Sequence, residues 1–87
     1  MPDDIISDDE LTSLLSAKAR VYFEKGIATH FVFKDGRWMN GLINECSTDF
    51  CFIEEFKKGN QLIFFRELKD IETYTTLIKE AKDDVQK

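Results

Sequence analysis

The sequence predicts a mainly β fold with flanking helices: an N-terminal helix, a bent five-stranded antiparallel sheet closed into a small barrel, and a C-terminal helix. Three observations carry that expectation. A capping signature opens an apolar-periodic stretch over residues 8–25. Five short alternating stretches, each bounded by turn signals, follow between residues 27 and 74. A glycine, Gly41, stands inside the second stretch, five residues after the glycine of a hairpin signal. Strands this short cannot make a stable flat sheet, because one face stays wet and both edges stay open. A strongly bent sheet curled into a small barrel escapes both problems.

Ser7-Asp8-Asp9-Glu10 is a capping-box pattern, serine followed three residues later by glutamate. Acidic residues in the first turn also complement the helix dipole. Leu11, Leu14, Leu15, Val21 and Tyr22 then recur near helical spacing, and Gly26 is a natural stop. From Ile27 the period changes. Thr29 to Lys34 alternates, with Phe31 and Phe33 on one side and His30, Val32 and Lys34 on the other. Asp35-Gly36 reads as a two-residue type I′ hairpin. Trp38 to Cys46 is the second strand, with Met39, Gly41 and Ile43 on one face. A long strand that serves both halves of a small barrel bends sharply, and at the bend a Cβ would meet the facing strand, so Gly41 reads as the corner.

Ser47-Thr48-Asp49 breaks the second strand, and Phe50 to Phe56 is the third. Lys57-Lys58-Gly59-Asn60 is a turn, and Gln61 to Phe65 the fourth strand. Arg66 to Lys69 has room only for a turn or a single 3₁₀ turn before the fifth strand, Asp70 to Tyr74. Thr75 or Thr76 then caps a closing helix over about residues 75–86, with Leu77, Ile78, Ala81 and Val85 as its apolar stripe. The expected organisation is one domain: an acidic lead over 1–7, a helix over 8–25, the barrel over 27–74 and the closing helix.

Composition narrows the function classes. The net charge is −5 and the isoelectric point about 4.8, which alone opposes nucleic-acid binding, since phosphate contacts need local positive charge. The charge is uneven, however. Residues 1–10 hold five acids and no base, whereas residues 11–78 hold nine of each sign, so the body of the chain is neutral. Eight phenylalanines in 87 residues either fill a small core or leave a surface for a partner to cover. Cys46 and Cys51, with a single histidine, make no zinc set and read as free thiols of a reducing compartment. With no signal peptide and no spanning apolar run, the expected location is cytoplasmic, away from any membrane. No catalytic constellation is present and no cofactor is implied, so an enzyme is not expected. Glu54 and Glu55 are adjacent, point to opposite faces and read as solvated strand-end charges.

At this point the chain resembles the Sm-like (LSm) family, whose small barrels belong to the SH3-like class. The resemblance rests on Phe31-Val-Phe-Lys-Asp-Gly-Arg-Trp-Met-Asn-Gly-Leu-Ile43, an apolar strand, Asp-Gly, then an apolar residue, a spacer and glycine behind a helix. It covers about residues 8–74, and the closing helix is an addition to the minimal family pattern. The resemblance implies a base site, usually for uracil, between two loops. Counted from Gly41, the first-loop places fall on Ser47, Asp49, Phe50 and Cys51, where the family's aspartate, stacking residue and asparagine are all replaced. In the second loop Arg66 holds the arginine place, but Glu67 replaces the glycine. The same count puts Glu54 on an inward face, which leaves room for a one-residue slip between Gly41 and Phe52. The RNA-binding expectation therefore rests on Arg66, Lys69, Asp49, Phe50 and Cys51, with Trp38 and Phe50 as candidate stacking faces.

The family arrangement also implies a ring in which the fourth strand of one subunit pairs with the fifth strand of the next. Gln61-Leu-Ile-Phe-Phe-Arg66 is apolar on both faces and unsuited to a free edge. The expected joint is Leu62, Ile63, Phe64 and Phe65 against Ile71 and Tyr74, in a cyclic homo-oligomer of about five to seven subunits. One Arg66 per subunit would then become a ring of positive charge, and weak contacts would add by avidity. Two functions follow: an RNA-binding ring acting as an RNA chaperone or ribonucleoprotein scaffold, or an Sm-like barrel that has lost RNA binding and serves as a protein assembly module.

Overall fold

A computed structural model describes residues 7–74. The expected closing helix over 75–86 and most of the acidic lead lie outside the described residues. The elements are α1 (Asp8–Lys25), β1 (Thr29–Phe33), β2 (Trp38–Cys46), β3 (Phe50–Glu55), β4 (Gly59–Phe64), a 3₁₀ turn over Phe65–Glu67, and β5 (Leu68–Thr73). The five strands form one antiparallel sheet in the order β4-β3-β2-β1-β5.

The helix begins as its sequence dictates. Ser7 Oγ accepts from the Glu10 backbone N–H at 3.1 Å, and the Glu10 carboxylate accepts from the Ser7 N–H at 3.3 Å. Two otherwise orphaned donors are satisfied reciprocally, a cap worth about 1 kcal/mol. At the other end Gly26 takes a left-handed φ of 67°, which a side chain would resist, and the helix stops. Leu15 and Ala19 point into the core, with Leu11, Tyr22 and Phe23 packed around them.

The β1–β2 hairpin differs from the expected two-residue type I′ turn. Among the described residues no non-glycine has a positive φ, so Asp35 cannot occupy the first central position of such a turn. The Gly36 N–H donates to Phe33 O at 3.0 Å and the Phe33 N–H donates to Arg37 O at 2.8 Å. The loop is therefore three residues, Lys34 to Gly36, with only Gly36 left-handed at φ 95°. The Asp35 carboxylate accepts from the Arg37 N–H at 3.0 Å and from Arg37 Nε at 2.7 Å, which holds the turn from outside.

Gly41 is the corner. The first part of β2, Trp38 to Gly41, pairs with β1, and the part from Gly41 to Cys46 pairs with β3. Gly41 alone lies in both ladders, opposite Thr29 on one side and Glu55 on the other. A Cβ there would strike the Glu54 carbonyl oxygen and come within 2.9 Å of the Glu54 carbonyl carbon and Glu55 Cα. These are backbone atoms of a paired strand and cannot move aside.

The register of β2 on β3 shifts between Ile43 and Glu45, so Asn44 is an extra residue in a bulge. This is the one-residue slip that the count from Gly41 leaves room for. It turns Glu54 outward and Glu55 inward. The inner face carries Phe31, Phe33, Ile43, Cys51, Ile53, Ile63, Phe65, Leu68 and Ile71, all buried against Leu15 and Ala19 of the helix. Burial of each large side chain contributes about 1.5–3 kcal/mol.

Glu55 corrects the expectation of a solvated charge. It is only 7 % exposed. Its Oε1 accepts from the Lys57 N–H at 2.8 Å and the Lys58 N–H at 2.7 Å, and Oε2 accepts from the Asn40 N–H at 3.4 Å. Burial pushes its carboxyl pKa up, but the hydrogen bonds from Lys57, Lys58 and Asn40 outweigh burial and hold it below the ordinary glutamate value. Glu55 thus ties the β3–β4 turn to the corner of β2.

Candidate nucleic-acid interface

The two loops that the sequence nominates come together. Ser47 N–H donates to Phe50 O at 2.8 Å, closing the β2–β3 turn, and the Phe65 N–H donates to Asp49 O at 3.0 Å. That second bond joins the β2–β3 turn to the 3₁₀ turn after β4. Phe50 stands directly across from Phe64 in the β3–β4 ladder, with ring centroids 6.1 Å apart and edge to face. Arg66, one residue past the buried Phe65, lays its guanidinium 5.5 Å from the centroid of the Phe64 ring.

Asp49, Phe50, Phe64 and Arg66 thus form one cluster, with Asp49 and Arg66 exposed and the two rings half-buried. Among the described residues Lys18, Lys34 and Arg37 are in ion pairs, whereas no carboxylate lies within ion-pair distance of Arg66. Glu67, next in the chain, and Asp49, whose carbonyl accepts from the Phe65 N–H, are exposed and set acid near that cation. Lys69 is exposed on β5, beyond the 3₁₀ turn.

Cys51 does not join the cluster. It is fully buried on the inner face, and burial with the neighbouring Cys46 pushes its thiol pKa up to about 12. A neutral thiol inside the core cannot read a base, and the strand period explains why: Phe50 and Phe52 face out, so Cys51 faces in. The expected joint needs the same correction. Ile63, Phe65 and Ile71 belong to the core of the single chain, while Leu62, Phe64 and Tyr74 remain outside it.

Sequence reasoning missed Phe52. With Phe50, Leu62 and Phe64 it makes an apolar outer face on β3 and β4, where Phe52 sits directly across from Leu62. The Phe50 and Phe52 rings meet edge to face at 5.8 Å. Period-two alternation from Phe50 supplies the signal, once the bulge at Asn44 fixes the register.

A second outer surface lies on β1 and β2. The His30 and Trp38 ring centroids are 5.8 Å apart, and His30 Nδ1 pairs with Asn40 Oδ1 across the ladder. Among the described residues no group of His, Cys, Asp and Glu could hold a metal ion, and no helix is long and apolar enough to cross a membrane.

No family model matches this chain, and no curated protein does. Solved structures do. A 1.55 Å crystal structure of the pleiotropic translational regulator Hfq superposes with a TM-score of 0.59 at 16 % identity, covering 70 % of this chain and 98 % of that one. The chain has the Sm-like fold. At this identity the likeness concerns the fold alone, the N-terminal helix and the five antiparallel strands. In the Sm-like frame, the stitched loops lie at one end of the bent sheet, and β4 and β5 are its two edges.

Proposed function

We propose that the chain assembles into an Sm-like ring that binds single-stranded RNA weakly per subunit and usefully through repetition. The observation that carries this reading is the Phe65 N–H to Asp49 O hydrogen bond. It holds aromatic faces and the Arg66 guanidinium side by side, the two groups that a single strand needs for stacking and for its phosphate. The sheet edges support the ring. Neither β4 nor β5 pairs with the other, so each offers backbone donors and acceptors to a neighbouring subunit. Leu62 and Phe64 on β4 and Tyr74 after β5 would lie at the joint, in a ring of about five to seven subunits.

A second reading, a protein assembly module without RNA binding, draws on Asp49 and Glu67 beside Arg66 and on the burial of Cys51. Filter binding of oligo-U and oligo-A across a salt series, with light scattering on the same sample, separates the two. On the RNA reading Arg66→Ala weakens binding and lowers the salt slope by about one unit per site, while Lys57→Ala on the β3–β4 turn does little. No binding by the parent protein at low salt, from a sample that scatters as an oligomer, would establish the assembly reading.

A further inference from the structure

Cys46 and Cys51 stand directly across from each other in the β2–β3 ladder, just outside the turn that joins the two strands. Opposite residues of an antiparallel pair project to the same face. Here that face is the inner one: Cys51 is fully buried, and Cys46 is half-buried against the same core. Both are free thiols.

The hydrogen bonds decide which kind of pair this is. The Ser47 N–H donates to Phe50 O at 2.8 Å, so Ser47 and Phe50 face each other across a ladder bond. Ladder bonds fall at alternate pairs, and the next pair along, Cys46 with Cys51, is therefore a non-hydrogen-bonded one. At such a pair the Cα atoms approach to about 4.5 Å and the side chains come closest together. A disulfide needs Cα atoms about 4.4–6.8 Å apart with Cβ atoms pointing toward each other's sulfur. The two sulfurs can meet without either strand leaving the sheet.

The two thiols differ in access. Cys46 reaches solvent beside Arg20, whose Nη2 donates to Cys46 O at 3.1 Å. Burial still pushes the Cys46 thiol pKa up, while Arg20 opposes that and Glu24 adds to it. Burial and the neighbouring Cys46 push Cys51 up to about 12. Neither thiol is activated on its own account, and what the ladder supplies is proximity.

We propose that Cys46 and Cys51 are a modification site, a reversible cross-strand disulfide formed by exchange with a low-molecular-weight disulfide of the glutathione type. The Cys46 thiolate attacks one sulfur of the oxidant, the S–S bond of the oxidant breaks, and the first glutathione leaves as a thiolate that takes up the Cys46 proton. Cys51 then gives up its proton and attacks the Cys46 sulfur of the mixed disulfide, and the second glutathione leaves with that proton. Two cysteines are oxidised, one glutathione disulfide is reduced to two thiols, and no other reactant is needed. The bridge closes the base of the turn from Ser47 to Phe50, whose Asp49 carbonyl holds the Phe65 N–H next to Arg66 in the chain. Oxidation thereby clamps one of the two stitched loops. In a reducing compartment bonds of this kind are transient and redox-sensing. The site requires neither RNA binding nor a ring.

Glutathione redox buffers test it. The full chain is equilibrated over a range of reduced and oxidised glutathione, once folded and once in urea. Samples are then quenched with acid and alkylated, and the intramolecular disulfide is read by intact mass. Any chain with two cysteines five apart closes to some extent, so the ratio of the two equilibrium constants is the readout. The folded chain should form the bond at least about tenfold more favourably than the unfolded one, because the strands already hold the thiols together. By linkage the same factor should appear as added stability of the oxidised protein, a higher urea midpoint than that of the reduced form. In Cys46→Ser the same buffers should leave the midpoint where it was. A folded-state constant no greater than the unfolded one would overturn the proposal, as would a disulfide found only between two chains.

Discussion

The two halves of the bent sheet share an inner face and differ on the outer one. In the half made by β1, β5 and Trp38–Gly41 of β2, the outward face is mixed: Val32 lies across from the exposed Trp38, while His30 pairs with Asn40 and Asp70 with Lys18. In the half made by β3, β4 and Gly41–Cys46, the outward residues Phe50, Phe52, Leu62 and Phe64 are apolar in an unbroken block. Inside, both halves are aliphatic and aromatic alike, with Phe31 and Phe33 from one and Ile53 and Ile63 from the other. The inner faces make the fold, and either outer face would serve it. The apolar outer face of β3 and β4 is thus a feature the single chain does not need, and it lies beside an open edge and the Arg66 cluster.

The change that should break this comparison most completely falls at the junction. Gly41→Val puts a branched side chain against the Glu54 carbonyl and Glu55 Cα, where both ladders meet. Either β2 leaves β3 or the corner opens, and the expected cost is about 2–4 kcal/mol. The control is Gly59→Val. Gly59 has φ 80°, so valine is strained there, but the nearest foreign atom is a flexible Glu54 carboxylate oxygen at 3.7 Å. Strain alone should cost about 1–2 kcal/mol. Urea midpoints that fall equally for the two variants would remove the distinction between a glycine needed for space and one needed for φ.

The succession of helix and five strands along the chain was legible in the sequence, and the register between strands was not. Helix α1, its capping box and the span of β2 follow from local chemistry: a serine and a glutamate three apart, a period near 3.6, a period of two. Gly41 was legible because a bare position inside a strand has few causes. The bulge at Asn44 left only an indirect trace, an ill-placed Glu54, because an extra residue in a ladder has no side-chain signature of its own. The same gap hid Phe52 and assigned Cys51 a role in the loop. The hairpin at Asp35-Gly36 misled for a related reason. The dipeptide fixes a left-handed glycine, but whether aspartate joins it depends on Arg37, which holds the Asp35 carboxylate.

Glu55 offers a smaller break on the β3–β4 side. Its folded carboxyl has a lowered pKa, so the unfolded chain takes up the proton first as pH falls. Its contribution is therefore full above the ordinary glutamate value of about 4.3 and is lost as pH drops through the lowered folded value. Glu55→Gln should cost about 1–2 kcal/mol at neutral pH, because a neutral amide oxygen accepts more weakly from the Lys57 and Lys58 N–H groups. Its stability should also fall less than the parent's between about pH 6 and about pH 3. Parallel stability-against-pH curves for the two proteins would show that Glu55 does not carry this part of the acid sensitivity.

Leu62→Lys should affect the single chain least and the assembly most. Leu62 is 46 % exposed on the outer face of β4, across from Phe52, and none of the core residues loses a neighbour it needs when that side chain changes. Substitutions at such sites usually alter chain stability by less than about 0.5 kcal/mol. In a ring, however, the β4 edge pairs with β5 of the next subunit, and each joint would receive a new, desolvated ammonium beside Phe64. Repetition around a closed ring multiplies that penalty by the number of joints. Sedimentation velocity should show the parent as an oligomer and Leu62→Lys as a smaller species, with the same far-ultraviolet circular dichroism for both. A parent that sediments as a folded monomer at tens of micromolar would remove the ring. The apolar outer face of β3 and β4 would then have to be covered by a different protein.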